Sequence, residues 1–157
     1  LLNFFLLLWF HRGPLNARTI VVFTLIFLTG FTIEAIGVET GMIFGNYTYG
    51  SGLGIKIFHT PLMIGINWLM LSYCFANVAE HTGLGPWPRM LLGAAGMVIY
   101  DLVLEQSAPF LDLWSWKNGI IPLETYAAWF GLALVFQALL VLGKVKTKNP
   151  LAPVLLL

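Results

Sequence analysis

The sequence predicts an all-α protein, a polytopic transmembrane helix bundle of about five spans with partial helices at its two ends. Hydrophobic residues make up 59% of the 157 residues and charged residues only 10%, and the mean hydropathy is +0.85. A soluble domain carries roughly 25% charged residues, so this chain has too few to cover itself in water. Long apolar runs separated by short polar segments complete the pattern. We expect a single transmembrane domain over residues 1–157.

The chain opens on ten mostly apolar residues, LLNFFLLLWF. A spanning helix needs about 20 apolar residues, so this stretch predicts a partial first helix. A polar turn follows at 11–18, and a second tight turn with Gly and Pro lies at 83–89. The tail, 151–157, is also too short to span and is predicted to begin a further helix. The longer runs predict spans at about residues 19–38, 61–79, 90–105 and 123–143.

Basic residues are divided unevenly between the two sides of this topology. One side receives six of the eight Lys and Arg residues, and the other side receives only Lys56 and Lys117. The excess of Lys and Arg marks the cytoplasmic side of a membrane protein, so we predict that the richer side is cytoplasmic. Its basic residues are Arg12, Arg18, Arg89, Lys144, Lys146 and Lys148.

Six of the seven acidic residues fall in the other half of the bundle, and Glu80 is the exception. A helix rises about 1.5 Å per residue, which puts Glu34 and Asp101 at similar depth. Asp101 and Glu105 are four residues apart and share one helix face. An acid inside a membrane span is costly and is a functional-site hypothesis by default. We therefore select Glu34, Asp101, Glu105 and, nearer the interface, Glu39 as candidate catalytic residues.

Neighbouring carboxyl groups in a site of low dielectric constant cannot all ionise, so a neutral acid stands beside an ionised base. Such a pair supports proton transfer in both directions. Hydride transfer is not indicated, because the chain has no dinucleotide-binding motif. The three histidines form no HxxxH or HExxH pair and the one cysteine is alone, so we expect no metal site and no cofactor. The few, scattered basic residues give no reason to expect a nucleic-acid partner.

Aromatic side chains and one histidine accompany the acids. Any one of them fits an ordinary interfacial belt, but as a group they predict an apolar slot whose ring faces stabilise a carbocation. His59 also precedes Thr60 and Pro61, where it could cap a helix. Trp114 and Trp116, two apart in a predicted loop, fit a re-entrant anchor. The candidate substrate-binding residues are Phe44, Tyr47, His59, Trp68, Trp114, Trp116, Tyr126 and Trp129.

Three segments together resemble a known family. They are EAIGVETGMIFGNYTYGSGLG at 34–54, DLVLEQSAPFLDLWSW at 101–116 and IPLETYAAWF at 121–130. With Pro61 and Trp68, they resemble the integral-membrane carotenoid biosynthesis proteins of the bisanhydrobacterioruberin hydratase type, which include carotenoid 1,2-hydratases acting on γ-carotene. The resemblance spans roughly residues 31–130. Two positions depart from the family pattern, Gln106 where Pro is usual and Thr125 where Asn is usual.

The resemblance implies that water adds across the terminal 1,2 double bond of an acyclic carotenoid end group without a cofactor. We expect Glu34 to deliver a proton to C2, and Asp101 or Glu105 to take a proton from the water that attacks C1. It also implies a multi-pass protein of a bacterial or archaeal cytoplasmic membrane, with the acids toward the non-cytoplasmic side. The expected partners are the carotenoid, membrane lipids and other enzymes of the carotenoid pathway.

Two other functions use the same residues. A carotenoid-binding membrane scaffold would have the slot without the reaction. A proton-coupled transporter would use the acids as a relay, but such folds are usually built from inverted repeats, and this sequence has no repeat. A scaffold should tolerate Glu34→Gln and Asp101→Asn with its ligand bound, whereas a hydratase should bind and not turn over.

Overall fold

Five α-helices make up most of the computed structural model, which describes residues 2–156, and confirm the predicted all-α bundle. Three of them, α2, α4 and α5, are long and apolar enough to cross a membrane. The number of spans and their orientation stay predictions. The helices are α1 (Leu2–Trp9), α2 (Ala17–Thr40), α3 (Met63–Glu80), α4 (Pro86–Leu104) and α5 (Leu123–Leu142).

Local capping chemistry explains where the helices begin and end. Asn16 accepts a 3.0 Å hydrogen bond from the backbone N–H of Thr19 at the start of α2. Gly41 ends that helix with a left-handed φ of 65°, a conformation that glycine adopts without steric cost. The α4 helix begins at Pro86, within the predicted turn at 83–89, so that prediction was wrong for its second half. Proline is favoured in the first helical turn, where its missing N–H is not needed.

The α3 helix lies at the centre of the bundle and packs against α2, α4 and α5. Close contact with α2 depends on Gly30, where a β-carbon would lie 2.9 Å from the Trp68 side chain. Small residues permit such close approach between helices. The shared core includes fully buried Tyr73, Ala133 and Phe136. Large apolar side chains remain exposed on the outer faces, among them Ile20, Leu28, Leu91, Leu102 and Val135.

Two short β-ribbons close one end of the bundle. Strand β1 (Tyr47–Tyr49) pairs antiparallel with β4 (Trp114–Trp116), and β2 (Lys56–Ile57) pairs with β3 (Thr60–Pro61). In the first ribbon Tyr47 lies opposite Trp116 and Tyr49 opposite Trp114. The prediction of loops, with the two tryptophans as a re-entrant anchor, was wrong here. The tripeptides YTY and WSW each alternate aromatic and small polar residues, as suits a strand with one buried face.

Candidate active site

A cavity of about 220 Å³ lies between α2, α3 and α4 and is covered by the β1–β4 ribbon. On α3 its lining residues follow the spacing of one helix face: Ile64, Asn67, Trp68 and Leu71. On α4 they include Tyr100, Asp101 and Leu104. Aromatic and aliphatic side chains form most of the wall, so the few polar groups are conspicuous.

Glu34 is held by three hydrogen-bond donors and is only 4% exposed. Its Oε2 accepts from the hydroxyl of Tyr47 at 2.5 Å and from that of Tyr49 at 2.9 Å. Its Oε1 accepts from the indole Nε1 of Trp68 at 3.1 Å. All three partners donate, and an ionised carboxylate is an acceptor only. This arrangement therefore matches the ionised form of Glu34.

The β1–β4 ribbon brings four aromatic rings to the cavity. Successive residues of a strand point to opposite faces, and in this ribbon Thr48 and Ser115 are exposed. The ring centroids of Tyr47 and Trp116, which are cross-strand partners, are 4.9 Å apart. The residues lining the cavity from the ribbon are Tyr47, Tyr49, Trp114 and Trp116.

The two tyrosine hydroxyls keep their protons at any physiological pH. Burial, followed by the nearby negative charge of Glu34, raises the pKa of Tyr47 above its ordinary value. The same two causes, in the same order, raise the pKa of Tyr49. A phenol that keeps its proton donates to an ionised carboxylate, which matches the two hydrogen bonds to Glu34.

Glu105 fixes the two tryptophans of the ribbon. Its Oε1 accepts from Trp114 Nε1 at 3.0 Å and its Oε2 from Trp116 Nε1 at 2.9 Å. The carboxylate is buried, at 8% exposure, and lies behind the indoles, outside the cavity lining. Both of its oxygens are thus occupied in positioning the aromatic wall.

Asp101 and Asn67 are two polar side chains of the cavity that remain free. Both are half-buried and line the cavity. Within residues 2–156, neither the carboxyl group of Asp101 nor the amide of Asn67 has a hydrogen-bond partner. Buried polar groups normally find a partner in protein or water. Both groups are therefore available to a ligand or to a water molecule held in the cavity.

Comparison with known proteins identifies the family. A family model described as "Carotenoid biosynthesis protein" matches residues 2–153. The chain belongs to this family. Over 115 residues it is 29% identical to a bisanhydrobacterioruberin hydratase of Haloarcula japonica, a match that covers 65% of this chain and 38% of that protein. The chain thus spans well under half the length of this relative. No solved structure matches the chain.

The family resemblance drawn from the sequence is therefore confirmed. The cavity gathers many of the residues selected from the sequence of this carotenoid biosynthesis protein. Both Glu34 and Asp101 face it. The other selected residues that line it are Tyr47, Trp68, Trp114, Trp116 and Trp129.

The remaining selected residues lie outside the cavity lining. Glu39 forms an exposed pair with His59, with 2.6 Å between Oε1 and Nδ1. The suggestion that His59 caps the third span was wrong, because α3 has no side-chain cap. Phe44 and Tyr126 pack on Trp129, with ring centroids 6.3 and 5.7 Å away.

Two cavity residues, Tyr49 and Asn67, were not among the candidate site residues selected from the sequence. Tyr49 is two residues after Tyr47, a spacing that puts both on one face of a strand, but no strand was predicted there. Asn67 is an amide inside an apolar span, one residue before Trp68. A polar residue in a membrane helix is itself a functional signal, and it was available from the sequence.

The two departures from the family pattern do not reach the cavity. Gln106 is exposed beyond the end of α4. Thr125 is fully buried and its hydroxyl donates a 2.6 Å hydrogen bond to the carbonyl of Phe44. Thr125 stands where the family usually has Asn, and its hydroxyl ties the start of α5 to the segment before β1.

Within residues 2–156, no three His, Cys, Asp or Glu side chains come together in a way that could hold a metal ion. A reaction without metal or cofactor stays a prediction.

Proposed function

We propose that this carotenoid biosynthesis protein hydrates the terminal 1,2 double bond of an acyclic carotenoid end group in the cavity. One observation carries the proposal: two carboxyl groups face the same aromatic cavity with opposite surroundings. Glu34 accepts three hydrogen bonds, and the Asp101 carboxyl has no partner within residues 2–156. A pair of acids in different environments is the usual arrangement for acid and base roles. The name of the relative, a hydratase, supports the same reaction class.

Asp101 is the better proton donor, the reverse of the assignment made from the sequence. A general acid must present its proton to the substrate within hydrogen-bond reach. The oxygens of Glu34 are turned toward three donors, whereas the Asp101 carboxyl is free at the cavity wall. In this scheme Asp101 gives its proton to C2 as the alkene π electrons form the new C–H bond, and C1 becomes a tertiary cation.

The aromatic wall and Glu34 stabilise that cation. Ring faces attract cations within about 6 Å of their centroids, and the ribbon supplies Tyr47, Trp114 and Trp116 to the cavity. A fixed negative charge in a site of low dielectric constant acts in the same sense, because it is already oriented before the reaction. Both contributions favour charge at C1 and require no movement of the protein.

A water molecule completes the reaction at C1. The free amide of Asn67 is suited to hold it, since an amide both donates and accepts hydrogen bonds. A carboxylate offers about four lone-pair sites, and three of those at Glu34 are occupied. The remaining site accepts the proton that the water loses as its oxygen bonds to C1. The proton then returns from Glu34 to Asp101, and the sum is the addition of one water.

The size of the cavity limits what it takes up. Pockets that enclose a drug-sized ligand measure roughly 300–1,000 Å³, and this cavity measures about 220 Å³. It accommodates the end group of a carotenoid, not the whole polyene. The rest of the chain must extend out of the cavity, where apolar helix faces and lipid would surround it.

Pigment analysis tests the proposal. The chain is expressed in a lycopene-producing bacterial host, and the extracted pigments are examined by mass for a gain of one water. We expect the water adduct from the wild type, and at least about a hundredfold less from Asp101→Asn and from Glu34→Gln. Glu124→Gln, an exposed acid in the first turn of α5, is the matched control and should be fully active.

A carotenoid-binding scaffold gives a different result in the same experiment. Lycopene would then co-purify with the protein unchanged, and neither Asp101→Asn nor Glu34→Gln would alter the pigments. Repeating the expression in a host that makes γ-carotene separates an unsuitable substrate from a missing activity. An unmodified pigment in both hosts, with correctly inserted protein, would reject the hydratase.

A further inference from the structure

The segment 144–149 crosses the end of the bundle opposite the cavity, and we call it the basic strap. Its sequence, KVKTKN, alternates lysines with smaller or uncharged residues. Lys144, Lys146 and Lys148 are exposed, while Thr147 and Asn149 are buried. This alternation is that of an extended chain with one face packed on the protein. The three ammonium groups are therefore presented outward from a fixed backbone.

Hydrogen bonds to two helices and a turn hold the basic strap in place. The Asn77 side chain on α3 donates to the carbonyl of Thr147. The backbone N–H of Arg12, in the turn after α1, donates to the carbonyl of Lys148 at 2.9 Å. Asn149 donates a 2.8 Å hydrogen bond to a backbone carbonyl of α1. These contacts fix the backbone of the basic strap at this end of the bundle.

A recess of about 260 Å³ lies beside the basic strap, between α3, α4 and α5. Arg89, Lys144 and Lys146 line it, with Glu80 as its one carboxylate. In the part of the chain that the structure describes, none of these three cations forms an ion pair. Glu80 instead accepts a 3.3 Å hydrogen bond from Thr147. The recess therefore carries an excess of positive charge.

Two details indicate that these cations are arranged for an anion. The Nε of Arg89 is buried and has no hydrogen-bond partner among residues 2–156. Lys144 has a left-handed backbone, with φ 51°, at a position after a helix where glycine is usual. Such a conformation costs energy for a residue with a side chain and persists when the surroundings impose it. A guanidinium with two ammonium groups is the donor set that phosphate groups select.

We propose that this recess binds the phosphate of an anionic phospholipid headgroup. It lies at the ends of helices long enough to cross a membrane, which is the depth of the headgroups. Basic pockets between transmembrane helices on the positively charged side are known to take anionic headgroups. The lipid would bridge the basic strap and the start of α4, about 18 Å along that helix from Asp101 at 1.5 Å per residue. This binding is independent of the reaction proposed for the cavity.

Thermal unfolding in lipid nanodiscs tests the proposal. The purified chain is compared in bilayers of phosphatidylcholine alone and with phosphatidylglycerol added. We expect phosphatidylglycerol to raise the unfolding temperature of the wild type, and Lys144→Gln with Lys146→Gln to remove most of that rise. The matched control, Arg18→Gln with Lys117→Gln, removes the same charge from exposed positions outside the recess. This control pair should keep the rise in unfolding temperature that phosphatidylglycerol causes.

The control experiments decide the alternatives. Equal unfolding temperatures of all variants in phosphatidylcholine alone establish that the exposed substitutions leave the fold intact. An equal rise with inorganic phosphate added to phosphatidylcholine bilayers would identify a free anion and overturn the lipid proposal. It would also be overturned if the wild type did not respond to phosphatidylglycerol, or if the control pair lost the response as fully as the lysine pair.

Discussion

The hydroxyl of Tyr47 donates a 2.5 Å hydrogen bond to the buried carboxylate of Glu34, thirteen residues earlier in the chain. The two residues belong to different elements, a strand of the ribbon and a helix long enough to cross a membrane. Their contact ties the cover of the cavity to its base. Any change that separates them should loosen the ribbon and expose the carboxylate, so stability and activity should fall together.

Removing the hydroxyl tests that contact. Tyr47→Phe leaves Glu34 with one donor fewer, and a hydrogen bond to a charged group is worth about 1.5–3 kcal/mol of unfolding free energy. We expect that loss in thermal unfolding and a fall in hydration of about tenfold or more, since 1.4 kcal/mol is a factor of ten. Tyr126→Phe is the control, because the Tyr126 hydroxyl has no hydrogen bond within residues 2–156. Equal effects of the two variants would contradict the account.

Glu105 should act on the tryptophans and not on the substrate. Glu105→Ala leaves two indole N–H groups without their acceptor, at a cost of about 1–3 kcal/mol for each buried group. Glu105→Gln keeps one acceptor oxygen and should lose less. Tryptophan fluorescence and thermal unfolding measure both effects. If Glu105→Gln were fully folded with unchanged fluorescence yet inactive, Glu105 would be catalytic and the positioning role would be wrong.

Helix spacing at Gly30 should control the indole of Trp68. A methyl group at Gly30 would lie 2.9 Å from Trp68, and overpacking of this kind costs about 1–3 kcal/mol. We expect Gly30→Ala to displace the indole from Glu34 and to lower both stability and hydration. Gly131→Ala adds the same group to α5, where nothing lies within 4 Å. That control should gain about 0.5–1 kcal/mol from helix propensity, and a similar loss at both positions would argue against a packing cause.

The loop contact between Ser51 and Asp112 should respond to acid. The Asp112 carboxylate accepts from the Ser51 hydroxyl at 2.5 Å and from its backbone N–H at 2.7 Å. The hydroxyl first, and then the backbone hydrogen bond, lower the pKa of Asp112 below its ordinary value. Its stabilisation is therefore complete above the unfolded pKa of about 3.9 and is lost as pH falls through the folded value. The protection of residues 50–52 against amide hydrogen exchange, taken relative to the intrinsic exchange rate at each pH, should fall over that range, and Asp112→Asn should abolish this fall.

The sequence was sufficient for α2 because the signals that define this helix are local. Apolar length, Asn16 and Gly41 locate α2 to within two residues of the predicted limits at each end. The β1–β4 ribbon was not predictable in this way. Its pairing of Tyr47 with Trp116 joins distant parts of the chain, and a three-residue strand carries almost no periodic signal.

The candidate site was predicted only in part, because some of its features are local in the sequence and others depend on the tertiary structure. An acid within an apolar run is visible in the sequence, so Glu34 and Asp101 were selected. Their proposed roles were not predictable, because they depend on which donors surround each carboxyl group. Glu105 shares a helix face with Asp101 by spacing, yet its oxygens turn to two tryptophans of the ribbon. The direction in which the Glu105 side chain points is visible only in the tertiary structure.

The assignment of Asp101 as proton donor is tested most directly by labelled water. Purified protein in lipid nanodiscs is given lycopene in heavy-oxygen water, and product mass is followed together with carotenoid binding by absorption. We predict that the wild type forms a water adduct carrying one heavy oxygen, and that Asp101→Asn binds lycopene with unchanged affinity but forms no adduct. Formation of the labelled adduct by Asp101→Asn at the wild-type rate would contradict the account.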